Sequence, residues 1–276
     1  MAKRKRDFTS STIQKRLKEG RGQGEGMDYL PWLYIQDVPS EGRATRMKGW
    51  TTGRMHHLMS DLERDFFYIL DFADDVTDIR EQYPLLPLEE TLAIADKMGV
   101  KHPTDPHTSE PVVMTTDFLV TYKNKLMALA IKPAGLLGST RTIDKLEIEK
   151  RYWQERYVEW KIVTDRDIPK VVARNIEWFH KDYDNEDLIH FSAFVKSNLE
   201  GLLYENLQQG ESLAKAATFC DEKLGFPVGT ALAYFKHLLA RKYWVVDMNV
   251  KINPSLPVNH LQIVNTNETL REQGGS

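Results

Sequence analysis

The sequence lacks three features that mark well-defined protein classes. It has one cysteine, Cys220, in 276 residues, which excludes an intramolecular disulfide and a multi-cysteine zinc site. No apolar run approaches the roughly 18 residues that a membrane-spanning helix needs. The basic start of the chain, residues 3–6 (KRKR), has no apolar stretch behind it, unlike a secretory signal. These absences predict a soluble protein of a reducing, cytoplasmic compartment with no membrane partner.

Charge is unevenly distributed along the chain. The formal net charge is −3, yet residues 1–21 hold eight Lys and Arg against two acidic residues. Such a segment favours contact with a polyanion such as double-stranded DNA, although a solvated tail has the same composition. Four glycines at residues 20–26 predict a flexible entry loop that could follow a DNA backbone. The candidate DNA-binding residues are Lys3, Arg4, Lys5, Arg6, Lys15, Arg16 and Arg21.

The first part of the chain predicts an α/β fold. Apolar spacing indicates helices over residues 56–72 and 142–156. Runs rich in β-branched and aromatic residues indicate strands over residues 76–83, 114–122, 126–132 and 160–164. The order strand, strand, helix, strand predicts a mixed sheet with a crossover helix.

The second part of the chain reads as a small helical module. Helices are expected over residues 170–181, 188–203, 212–224 and 230–241, and a hairpin is expected around Asn249 from residues 243–248 and 250–252. Three helices and a two-stranded wing are typical of a winged-helix domain. Residues 168–276 carry 11 basic and 13 acidic side chains, which favours protein docking at least as much as DNA reading. We therefore predict two domains, residues 1–167 and 168–276.

Three side chains of the first domain form the best candidate for chemistry. If the hairpin turns at Asn124 and Lys125, then Asp117 and Lys132 lie directly opposite each other on one face. A carboxylate and an ammonium in that arrangement can hold a divalent cation and orient a nucleophilic water. Glu63 lies beside the apolar stripe of its helix and points toward the sheet. An acid on a helix, Asp on a strand and Lys on the next strand form a degenerate pattern that is typical of metal-dependent nucleases.

Each of these residues also fits a structural role. Asp117 and Lys132 could form an ordinary cross-strand ion pair. Ser60 and Glu63 have the spacing of a capping box at the start of a helix. His57 is a possible helper of the chemistry or a DNA contact, but an ordinary core or surface histidine is the commoner case.

Nine short stretches, in order, resemble one known family, the TnsA endonuclease subunits of Tn-seven-like heteromeric transposases. The match is dense from about residue 18 to residue 178. The stretches are residues 18–24 (KEGRGQG), 28–32 (DYLPW), 36–40 (QDVPS), 53–63 (GRMHHLMSDLE), 78–87 (DIREQYPLLP), 116–120 (TDFLV), 132–134 (KPA), 145–153 (KLEIEKRYW) and 175–178 (NIEW).

The resemblance implies a restriction-endonuclease-like core that nicks the 5′ strand at transposon ends. It implies Mg²⁺ as the cofactor, for which Mn²⁺ would substitute. The positions that match the family's catalytic residues are Glu63, Asp117 and Lys132. The implied metal ligands are Glu63, Asp117 and the backbone carbonyl of Ile131.

One position departs from the family pattern. The family has Gln or Glu two residues before the catalytic lysine, whereas this chain has Ala130. A side-chain ligand or water-holding group is therefore missing there. Glu149 on the following helix is the group that could compensate.

The family also implies partners, and two rival readings of the chain stay open beside it. The implied partners are transposon-end DNA, a TnsB-type transposase and a TnsC-type AAA+ ATPase that docks on the C-terminal domain, in the bacterial cytoplasm and on the nucleoid when assembled. The first rival is a catalytically weakened assembly subunit that bridges transposase and ATPase. The second is a free-standing winged-helix DNA regulator.

Overall fold

The computed structural model describes residues 9–37 and 43–264, which fall into two units. The units are Met1–Ile168 and Pro169–Ser276, and each has its own core. Four of the candidate DNA contacts, Lys3, Arg4, Lys5 and Arg6, lie outside the described residues. Within the described part of the chain, no helix is both long and apolar enough to cross a membrane.

A four-stranded mixed sheet forms the centre of the first unit. Its strands, in order across the sheet, are β3 (Val76–Pro84), β4 (Thr115–Tyr122), β5 (Lys125–Ile131) and β6 (Glu159–Val163). The β3–β4 and β4–β5 pairs are antiparallel, and the β5–β6 pair is parallel. The crossover helix α4 joins the two parallel strands, and the predicted α/β class with a mixed sheet is confirmed. The elements are α1 (Ser10–Lys18), β1 (Thr45–Lys48), β2 (Met55–Leu58), α2 (Asp61–Phe72), β3 (Val76–Pro84), α3 (Leu88–Met98), β4 (Thr115–Tyr122), β5 (Lys125–Ile131), α4 (Thr140–Gln154) and β6 (Glu159–Val163).

The alternation of side chains along β4 and β5 gives the sheet two apolar faces. On one face, Phe118 and Leu129 pack with Phe67 of α2. On the other face, Leu119 and Ala128 pack with residues of α3 and α4. Helices α2 and α4 therefore cover opposite faces of the same pair of strands.

A two-residue turn sets the register of β4 and β5. Lys123 and Asn124 have φ values of 48° and 59°, as a type I′ turn requires, and Phe118 lies opposite Leu129. The predicted register was wrong because the turn lies one residue earlier than expected. Continued by one pair, the observed register places Ala130 across from Asp117, and Lys132 lies on the diagonal.

The segment before α2 is a strand. The predicted helix over residues 56–72 was therefore wrong in its first turns. Met55–Leu58 forms β2 and pairs with β1. The helix begins only at Asp61, where the Ser60 hydroxyl caps it by accepting a hydrogen bond from the backbone N–H of Glu63 (3.1 Å). The chain thus passes from the end of β2 at Leu58 to the start of α2 at Asp61 through the N-cap residue Ser60.

The glycine-rich segment is folded against β3, so the expectation of a flexible entry loop was wrong. The N–H of Gly22 donates to the carbonyl of Leu30 (2.6 Å), and the N–H of Gly26 donates to Asp78 (3.1 Å). Gly22 has a φ of +77°, and a Cβ atom there would lie 2.3 Å from Cγ of Pro84. Close packing against Pro84 therefore requires glycine at this position.

A buried ionic network joins β2 to β3. Glu81 is fully buried and accepts hydrogen bonds from both terminal nitrogens of Arg54 (2.9 and 2.5 Å), while its carboxylate lies 2.8 Å from Nδ1 of His56. Burial raises the pKa of Glu81, but His56 and Arg54 lower it by more, so the resulting pKa is about 2. The N–H of His57 also donates to Glu81 (3.0 Å). The network thereby fixes the strand that leads into α2.

The second unit is mainly helical. Its elements are α5 (Lys170–Phe179), α6 (Glu186–Ile189), α7 (Ala193–Gln208), α8 (Leu213–Leu224), α9 (Thr230–Ala240), β7 (Trp244–Val245) and β8 (Gln262–Ile263). Cys220 of α8 is fully buried, and burial raises the pKa of its thiol to about 11, so it is a core residue. Strand β7 pairs with β8, and the predicted hairpin around Asn249 was wrong because residues 250–252 form no strand. The winged-helix assignment stays a prediction.

We predict that Glu81→Gln destabilises the first unit by about 3 kcal/mol, because the Arg54 charge loses its buried counter-ion. The free energy of unfolding from urea titration would measure this loss. Glu25→Gln is the matched control, since Glu25 is an exposed partner of Arg80. Equal stability of the two variants would contradict a stabilising role for the network.

Candidate active site

Asp117 is the centre of the candidate site. It lies near the start of β4, and its Oδ2 accepts hydrogen bonds from the N–H of Ile131 (2.7 Å) and from Nζ of Lys132 (2.8 Å). Lys132 also donates to the carbonyl of Ile131 (2.9 Å). The diagonal position of Lys132 on the neighbouring strand therefore still brings the predicted pair together.

Glu63 reaches the site from the first turn of α2. Its Oε2 accepts a hydrogen bond from the N–H of Met59 (2.9 Å), and its Oε1 accepts one from the Ser60 hydroxyl (3.0 Å). The helix-capping role that the sequence offered as a structural alternative is thus present, although the backbone donor to Glu63 is Met59 and not the N-cap residue Ser60. The same carboxylate is buried and feels the charges of Asp117 and Lys132, so capping the helix and facing the site are roles of one side chain.

Gln82 of β3 is a site residue that the sequence did not reveal. Its Nε2 donates to Oε2 of Glu63 (3.3 Å), and its Oε1 accepts a hydrogen bond from the Thr115 hydroxyl (3.0 Å). Gln82 is 4% exposed and has a φ of 50°, a conformation that is uncommon for a non-glycine residue. Backbone strain often marks functional positions, but no feature of the sequence signals this φ.

Glu149 of α4 completes the cluster from the other face of the sheet. Its Oε1 accepts a hydrogen bond from the Thr116 hydroxyl (2.8 Å), which in turn accepts one from the indole N–H of Trp153 (2.6 Å). Glu149 is buried, and the charges of Asp117 and Lys132 act on it. The structure therefore brings this predicted helper to the site.

The electrostatics of the cluster centre on the Asp117 charge. Burial and then Asp117 raise the pKa of Glu63 to about 7, and the same two causes raise the pKa of Glu149 to about 7. Burial lowers the pKa of Lys132, but Asp117, Glu149 and Glu63 together outweigh burial and the net shift is upward. Near neutral pH the site thus holds carboxylates that a positive charge would readily ionise.

His57, the other predicted helper, lies elsewhere. Its ring packs on Tyr34 (centroids 4.7 Å apart), and its Nδ1 accepts a hydrogen bond from the N–H of Ile35 (3.4 Å). Burial lowers its pKa. The structure gives it no contact with Glu63 or Asp117 among the described residues, so the helper role is not supported.

Two of the candidate DNA contacts are structural residues. Arg16 is buried over the Trp32 ring and lies 3.7 Å from Asp37. Arg21 forms ion pairs with Asp37 and Glu19. Their charges are neutralised within the protein, so the assignment of these two arginines as DNA contacts is corrected. Lys15 has a 76% exposed side chain and stays a candidate.

The donor chemistry fits a magnesium ion. Among the described residues, no three His, Cys, Asp or Glu side chains form a ready-made metal cluster. Magnesium is usually held by one or two carboxylates together with substrate phosphates. Glu63 and Asp117 supply two carboxylates, and the backbone carbonyl of Ile131 supplies a further hard oxygen donor.

Comparisons with known proteins give matches that together span most of the chain. Residues 73–165 match a family described as TnsA-like endonuclease N terminal, and residues 167–248 match one described as TnsA endonuclease C terminal. Over 274 residues the chain is 39% identical to the Transposon Tn7 transposition protein TnsA of Escherichia coli, which covers 97% of this chain and 98% of that protein.

We predict that Glu149→Gln stabilises the protein at pH 8 by about 1–3 kcal/mol and has little effect at pH 5. The folded-state pKa of Glu149, about 7, is above the unfolded value, so the native state binds more protons and stability falls as pH rises from about 4.5 to 7. The amide removes this penalty and can still accept the Thr116 hydrogen bond.

Urea titrations at both pH values would measure the effect. Glu147→Gln on the same helix is the control, because ion pairing with Arg151 lowers the pKa of Glu147 and its loss should not stabilise the protein. An equal change at pH 5 and pH 8 for Glu149→Gln would count against the raised pKa.

Proposed function

Because this chain belongs to the TnsA endonuclease family, and is thus an endonuclease of DNA transposition, we propose that it nicks the 5′ strand at transposon ends in a Mg²⁺-dependent reaction. One observation carries the proposal. The Asp117 carboxylate is clamped by the Ile131 N–H and the Lys132 ammonium, within electrostatic reach of Glu63 and Glu149.

The side chains divide the chemistry among them. Glu63, Asp117 and the Ile131 carbonyl would hold Mg²⁺ or Mn²⁺, which when bound polarises the scissile phosphate. Lys132 orients the attacking water and stabilises the negative charge that develops on the phosphate. The hydrogen bond from Ile131 keeps the Asp117 carboxylate in one orientation, so the ligand is preorganised.

We further propose a TnsB-type transposase as the partner that recognises the DNA end, and a TnsC-type ATPase as the partner of the second unit. Two cations in and directly after α9 form ion pairs within the protein. Lys236 lies 3.8 Å from Asp182, and Arg241 lies 2.8 Å from Asp184. This engagement supports protein docking over DNA reading for that unit.

Asp117→Asn should lower the nicking rate by about a hundredfold or more, because it removes the charge that the reaction uses. The assay would use the full chain, its transposase partner, Mg²⁺ and labelled transposon-end DNA, with nicks resolved on denaturing gels. Asp75→Asn is the control, since Asp75 is a half-exposed partner of Lys123.

The same assay separates the rival function. Wild-type rates in Asp117→Asn would remove Asp117 from the mechanism. A wild-type chain that assembles normally but nicks with neither Mg²⁺ nor Mn²⁺ would overturn the proposal and favour the assembly subunit that Ala130 suggests.

Gln82→Met should raise the Mg²⁺ concentration for half-maximal nicking by about tenfold, because Glu63 loses a hydrogen bond that orients it. Methionine nearly conserves volume, and the melting temperature would report any packing loss. Gln154→Met, at an exposed position of α4, is the control. An unchanged Mg²⁺ dependence in Gln82→Met would show that Gln82 does not position Glu63.

A further inference from the structure

One face of α4 carries a line of ionisable side chains that starts at the site. Arg141, Lys145 and Glu149 are spaced four residues apart, so they share one face and successive members rise about 6 Å along the helix axis. Glu149 is buried beside Asp117, whereas Lys145 and Arg141 are exposed. The line therefore leads from the candidate active site to the surface.

The two cations of this line have no carboxylate partner among the described residues. Arg141 donates to the backbone carbonyl of Lys101. Burial lowers the pKa of Lys145, and the charges of Arg141 and Lys132 lower it further. Like charges four residues apart destabilise a helix, so the charges of Arg141 and Lys145 do not stabilise α4 through each other.

The basic residues on the other side of α4 share one counter-ion. Lys150 lies 3.7 Å from Glu147, and Arg151 lies 2.8 Å from the same carboxylate. Lys150 and Arg151 thus have a carboxylate partner, whereas Arg141 and Lys145, on the side that leads to the site, have none among the described residues.

The catalytic cluster needs positive charge beside it. Its three carboxylates, Glu63, Asp117 and Glu149, repel a phosphate. Lys132 is the ammonium that faces them, and Asp117 already binds it. Cations beside the site, in addition to the metal ion of the proposed function, would therefore favour the approach of a DNA strand.

We propose that Lys145 and Arg141 form a phosphate-binding stripe that holds the cleaved DNA strand next to the scissile phosphate, an inference that rests on the proposed function. Their separation of about 6 Å along the helix is close to the axial rise of two nucleotides, at about 3.4 Å each. Lys145 contacts the backbone nearer the cut, and Arg141 contacts it further out.

The first test measures DNA binding by the full chain. Fluorescence anisotropy with a labelled transposon-end duplex, in Ca²⁺ and over a range of NaCl concentrations, would compare wild type with Lys145→Gln and Arg141→Gln. Each variant should bind about tenfold more weakly near 0.1 M salt. The slope of log affinity against log salt should fall by about one unit.

Lys150→Gln is the matched control, because it removes a cation of the same helix that pairs with Glu147. It should bind like wild type. Wild-type affinity and slope in Lys145→Gln and Arg141→Gln, an equal loss in Lys150→Gln, or no binding of the duplex by the wild-type chain would each overturn the stripe.

A second test locates the contact. Duplexes in which one phosphate near the cut is replaced by a neutral methylphosphonate should bind wild type more weakly, while Lys145→Gln should be insensitive at the phosphate that Lys145 contacts. If the binding pattern holds but wild type never nicks, the proposed function fails and the stripe stands. If wild type nicks and the variants bind normally, the stripe alone fails.

Discussion

The negative charge of Asp117 is the feature on which the candidate site depends. It is fixed between a backbone N–H and the Lys132 ammonium. Burial and, second to it, the Asp117 charge raise the pKa values of Glu63 and Glu149 to about 7. One charge near the start of β4 thus raises the pKa values of two carboxylates on opposite faces of the sheet. A bound cation would ionise both, so metal binding and deprotonation are coupled in this arrangement.

Bringing Glu63 to that charge depends on a second buried interaction. Glu81 holds β2 against β3 through Arg54 and His56, and Ser60 then starts α2 with Glu63 in its first turn. The next residue of β3, Gln82, donates to the Glu63 carboxylate. Neighbouring residues of one strand therefore position first the helix and then its functional side chain. A capping role and a catalytic role for Glu63 are compatible, because its oxygens accept hydrogen bonds from the helix start and still face the site.

The sequence could predict which side chains meet but not the geometry by which they meet. Asp117 and Lys132 were found from two adjacent strands, and that conclusion survived an error in register. The turn at Lys123 and Asn124 contains no glycine, so Asn124 was the signal for its positive φ values, and Asn124 alone did not show whether the turn begins at residue 123 or 124. Residues 56–58 fit a helical spacing as well as a strand, because a short apolar run is ambiguous. The contact of Gln82 with Glu63 and the burial of Arg16 depend on long-range packing, which the periodicity of a sequence does not reveal.

Ala130 changes the ligand set without changing the charges that tune the site. It is fully buried, and the register places it across from Asp117, where its methyl group offers no donor atom. The only ligand that β5 can then supply is a backbone carbonyl, that of Ile131. The pKa values of Glu63 and Glu149 arise from burial and from Asp117, and neither cause involves position 130. An alanine there therefore lowers the number of possible side-chain ligands, yet it leaves the carboxylates of Glu63 and Asp117 in place.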